Sequence, residues 1–93
     1  MVRAAARFLL AVGLLVSGAA QAAWPERPVT LIVPFSAGGI TDVLARLTAE
    51  RLSQKFGQPF VVQNEGGGAG IIGATSAARS KPDGYTLMFT PIF

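Results

Sequence analysis

Val29 to Val33 (VTLIV) is a β-branched, apolar run set between Pro28 and Pro34. Proline cannot donate to a ladder, so the strand is bounded on both sides and reads as buried. A turn of small residues, PFSAGGITD, comes next. Asp42 to Phe56 then has helical periodicity. Arg46, Glu50, Ser53 and Gln54 form the polar face. Ala45, Thr48, Ala49, Leu52 and Phe56 form the apolar face, widened by Val43, Leu44 and Leu47. Thr41 is the expected N-cap, Asp42 suits the positive end of the helix dipole, and Gly57 followed by Pro59 stops the helix. Phe60 to Gln63 is a second strand, Gly66 to Gly70 a flexible loop, and Ile71 to Arg79 a short helix. Lys81-Pro82-Asp83-Gly84 is a turn, in which Asp83 bonds locally and Gly84 takes positive φ. Tyr85 to Thr90 is a third strand. This β-α-β-α-β order makes an α/β parallel-sheet unit with right-handed crossovers.

The chain opens differently. Arg3 and Arg7 precede the apolar run Phe8 to Val16, and Ala20-Gln21-Ala22 fits a small-residue cleavage site. Residues 1–22 are therefore expected to be a signal peptide cleaved after Ala22, with export to a periplasm. The apolar run falls well short of the roughly 20 residues that span a bilayer. The sequence contains no cysteine, which excludes a disulfide framework and a lipid-anchored start. Of eight Lys and Arg, two lie in the leader. Six remain against five Asp and Glu, a net charge of +1, with no basic stripe for nucleic acid. Residues 23–93 are short for an independent core, and Leu87 to Phe93 is almost wholly apolar. The expectation is a partial domain, against a small protein whose apolar tail docks on a partner.

Gly68, Gly70 and Gly73 match the spacing of a dinucleotide-binding turn. That fingerprint belongs after the first strand, with an acidic residue closing the next strand. Here it follows the second, and Thr90 is followed by Pro91, Ile92 and Phe93. A nucleotide-using α/β enzyme is accordingly the weaker reading, beside that of a truncated product without function. No catalytic residue, metal ligand or cofactor is expected. The chain has no histidine or cysteine, and Glu26, Asp42, Glu50, Glu65 and Asp83 show no acid–base pairing. Asp42 is more simply a helix-start carboxylate. Gly-rich loops leading into helix N-termini instead suit capture of a small anion, with SAGGIT the sharper candidate.

The start WPERPVTLIVPFSAGG-TD resembles that of the Bug-type substrate-binding proteins of the tripartite tricarboxylate transporter, or TctC, family. Trp24, Pro25, Glu26, Arg27 and Pro28 match, as do Pro34, Phe35, Ala37, Gly38, Gly39, Thr41 and Asp42. Asn64, Gly67, Gly70, Ile72, Gly73 and Ala74 fit the second motif, and Pro82 to Leu87 the third. The resemblance implies the first lobe of a two-lobed periplasmic binding protein that closes over a carboxylate, whether di- or tricarboxylate, aromatic acid or amino acid. It implies that Phe35, Ser36, Ala37, Gly38, Gly39, Thr41 and Asp42 line the site, with Gly70 and Thr90 contributing from later strand ends. A monomer is expected, with transporter subunits or a sensor protein as partner.

The sequence departs from the family pattern at Ser36, Glu65, Gly66 and Ile71. Glu65 stands where a basic residue is usual, which would weaken attraction for a second ligand carboxylate. The family is also much longer. The chain is expected to be a fragment lacking the opposite wall of the cleft, and to bind carboxylates weakly or not at all by itself.

Overall fold

The computed structural model describes residues 23–91. The expected signal peptide and the tail residues Ile92 and Phe93 lie outside them. Strand β1 is Val29–Val33, helix α1 Ile40–Phe56, strand β2 Phe60–Asn64, helix α2 Ile71–Arg79 and strand β3 Thr86–Met88. A 3-10 turn, Gly68–Gly70, sits just before α2. The three strands form one parallel sheet in the order β2-β1-β3, so the chain runs outward to β2 and returns across β1 to β3.

β1 is the central strand, and its residues are buried except for half-buried Thr30. Val29 and Leu31 pack with Ala49 of α1 and Phe60 of β2, backed by Leu52, Val62 and Tyr85. Ile32, on the alternate face of the strand, is equally buried. Ala45, Ala49 and half-buried Leu52 carry α1 onto the sheet, with Phe56 and Ser53 meeting Phe60 at its far end. Ile40, Val43, Leu44 and Leu47 remain exposed, so the apolar stripe read from the sequence is wider than the face this sheet covers.

Several boundaries differ from expectation. α1 begins at Ile40 with Gly39 as N-cap, placing Thr41 inside the first turn. Gly39 is in an extended conformation open to any residue, and with no side chain there the orphan N–H groups have no side-chain cap. β3 is shorter than the expected Tyr85 to Thr90, although Thr30 N–H to the Tyr85 carbonyl and Phe89 N–H to the Ile32 carbonyl, both 2.9 Å, continue its pairing. The loop expected to be slack takes positive φ at Gly67, Gly68, Ala69 and Gly70. Gly57 closes α1 in the left-handed conformation, as its position predicts.

A staple closes the amino ends of the strands. Trp24 packs edge-on against Phe56 and Phe60, with ring centroids 5.5 and 6.0 Å away, and donates through Nε1 to the Gly84 carbonyl at 3.0 Å. Arg27 lies over the Tyr85 ring and pairs with Asp83 at 3.1 Å. The Tyr85 N–H donates to Asp83 Oδ1 at 2.9 Å, and Gly84 has φ +80°, the local chemistry expected of the turn. That N–H, assisted by the nearby Arg27, holds the Asp83 carboxyl below its ordinary range.

Candidate functional site

In an open parallel sheet a ligand crevice forms beyond the carboxyl ends of strands whose connections depart in opposite directions. With the order β2-β1-β3 the connection from β1 leaves toward β2 and the connection from β2 comes back past β1, so the reversal falls between β1 and β3. A concavity of about 300 Å³ is found there. Pro34 and Phe35 enter it from β1, Met88 and Thr90 from β3, and Ala69, Gly70, Ile71 and Ala74 from the turn and α2. Three residues expected at the site thus meet at one concavity: Phe35, Gly70 and Thr90. Pro34, Ala69, Ile71, Ala74 and Met88 were not anticipated, because small and apolar residues carry no chemical signal in a sequence.

The third glycine of the G-x-G-x-x-G string has a packing role. A Cβ on Gly73 would fall 2.7 Å from Pro34 Cα and from the Glu65 carbonyl oxygen, so only glycine lets α2 rest against the end of β1. Gly66 is similar, since its Cβ would lie 3.0 Å from the Ser36 nitrogen. These close approaches draw the second Gly-rich loop against the first.

The other expected residues lie on the first loop. Ser36, Ala37, Gly38 and Gly39 are exposed, Thr41 is half-buried in the first turn, and Asp42 is buried. No side chain caps α1; its first intrahelical bond runs from the Val43 N–H to the Gly39 carbonyl at 3.0 Å. The earlier N–H groups point out of a helix of 17 residues, whose dipole adds positive potential.

Asp42, at the third helical position, reaches back instead. Its Oδ2 accepts the Gly38 N–H at 2.9 Å, one residue farther back than in a standard capping box. Asn64 Nδ2 donates to Asp42 Oδ1 at 2.9 Å and to the Phe35 carbonyl at 3.2 Å. Arg46 Nε lies 3.1 and 3.2 Å from the two Asp42 oxygens, and its Nη2 donates to Asn64 Oδ1 at 3.1 Å. The opposite orientation of the Asn64 amide would set oxygen against two acceptors and nitrogen against the guanidinium, so the network fixes it. The Gly38 N–H, the Asn64 amide and Arg46 together hold the Asp42 carboxyl below its ordinary value, against an opposing effect of burial. Asn64 was legible as a motif residue, but its function was not. Arg46 carried one available signal, its spacing of four from Asp42 on a helix.

Among the described residues no group of His, Cys, Asp or Glu could hold a metal ion, and no helix is long and apolar enough to cross a membrane. The family model described as tripartite tricarboxylate transporter family receptor, TctC, matches residues 44–91, just over half of the chain. The chain belongs to the TctC family. The TctC relative BugT of Bordetella pertussis is 44% identical over 90 residues, covering 90% of this chain and 28% of that protein. The solved structure of R. palustris Rpa4515 with adipate is 53% identical, with a TM-score of 0.69, covering 71% of this chain and 22% of the other. MatC from Rhodopseudomonas palustris with bound malate is 43% identical, with a TM-score of 0.66, covering 70% and 22%. The chain therefore spans about a quarter of the length of these TctC proteins. TctC is a family of solute-binding receptors, and the parallel α/β sheet of this chain is the fold it shares with them.

Proposed function

We propose that residues 23–93 form the first-strand side of a carboxylate-capture site in an exported solute-binding protein without catalytic activity. The observation that carries this reading is the uncapped N-terminus of α1, which opens from an exposed loop beside the concavity at the β1/β3 switch point. Gly38 and Gly39 offer no side chain to obstruct an anion, and Ser36 and Thr41 add hydroxyls. Phe35, Gly70 and Thr90 supply the adjoining wall. Asp42 serves from behind the loop. Adipate and malate in the two similar structures support a small carboxylate as the ligand class. In the same reading residues 1–22 are removed after Ala22, the protein works in the periplasm as a monomer, and it delivers to transporter subunits or to a sensor.

Calorimetric titration of the chain with succinate, malate and adipate, at low and high salt, tests the binding reading. Carboxylates are expected to bind more weakly than micromolar and to lose affinity as salt rises. Succinamide, which has the shape without the charge, is expected not to bind. Equal binding of succinamide and succinate would overturn the reading.

A further inference from the structure

We propose that Arg46 is a positioning residue for the anion-binding loop, acting through Asp42 and Asn64 and touching no ligand itself. This rests on the reading of the Phe35 to Gly39 loop as a carboxylate site. The loop is fastened at two places. Near its start the Phe35 carbonyl accepts from Asn64 Nδ2, and near its end the Gly38 N–H donates to Asp42 Oδ2. Arg46 contacts both fasteners: Nε binds the Asp42 carboxylate and Nη2 binds Asn64 Oδ1. Without Arg46 the Asn64 amide keeps its two acceptors but loses the donor that engages its oxygen, one of the three contacts that orient it.

Charge supplies a second reason for an arginine. Asp42 places a carboxylate in the first turn of the same helix whose N-terminus would attract an anion. Three donors already engage that carboxylate, and Arg46 is the one that brings a compensating positive charge. Its fork reaches a carboxylate and an amide oxygen at once, whereas a lysine would restore the charge with a single donor group. The Arg46 side chain is 55% exposed, so replacing it leaves the core intact.

Arg46→Met and Arg46→Lys would be compared with the unaltered chain by succinate titration and by NMR hydrogen exchange at the Gly38 and Leu31 amides. In Arg46→Met the Gly38 amide is expected to exchange about tenfold faster and succinate to bind about tenfold more weakly, the order of one hydrogen bond to a charged group. Leu31, in the central strand, is expected to keep its protection, and Arg46→Lys to recover part of both losses. Unchanged Gly38 exchange, or unchanged affinity in a chain that binds succinate, would overturn the proposal. So would equal acceleration at Leu31, which would make Arg46 a general stabiliser. If the unaltered chain binds none of the carboxylates, the capture reading fails, and Gly38 exchange alone still decides whether Arg46 holds the loop.

Discussion

Asp42 is 4% exposed, and its carboxylate is shared among the Gly38 amide, Asn64 and Arg46. These partners favour the ionised form, so the folded-state value lies below the ordinary 3.8. A group depressed on folding contributes stability that is fully present above its unfolded value and is lost as pH falls through the folded one. Urea midpoints measured across pH 7 to pH 3 should therefore fall in the acid range. Asp42→Asn should start lower at neutral pH and show a shallower acid limb, with Asp83 supplying the remaining slope. Parallel limbs in the two proteins would sink this account. The sequence made the helix-start carboxylate visible but not what it holds. Its partner Asn64 lies 22 residues from Asp42, and only the pairing of β1 with β2 brings it beside the loop.

Among the elements, α2 depends most on a single atom that is missing. Its bounds were readable because IIGATSAAR lies between a glycine-rich run and a proline turn. The reason for Gly73 was not, since close approach to Pro34 and Glu65 is a property of the packed sheet. Gly73→Ala would improve intrinsic helix propensity by about 1 kcal/mol. It would also force backbone apart, at a typical cost of about 1–3 kcal/mol that the contacts at 2.7 Å should take to the upper end. A lower denaturation midpoint is expected, and an equal or higher one would show that the helix can shift without loss. β3 is shorter than its composition suggests for a related reason. Tyr85 to Thr90 has strand composition throughout, but at an edge only one neighbour fixes where pairing stops.

For the whole molecule the order of elements was the most legible feature, because strand and helix periodicities differ and prolines and glycines mark the joints. Strand order was not legible, since a β-α-β-α-β pattern is compatible with β1 at the centre or at the edge. Export is tested at this scale. The product recovered from a periplasmic fraction should have an intact mass that begins at Ala23. A product that keeps Met1, or one found only in the cytoplasm, would remove the export step from the proposed function.

The staple at the amino ends of the strands bears on how any of this could be observed. Trp24 is the chain's single tryptophan, and it is fixed against Phe60 and Gly84, where the strands begin. The concavity lies where they end, about a five-residue strand away, or roughly 15 Å. Intrinsic fluorescence will therefore report release of the staple and say little about an occupant at the far end. A titration followed at that wavelength would look silent even for a chain that binds, and a dye placed on the Ser36 side of the sheet would be needed to see the ligand arrive.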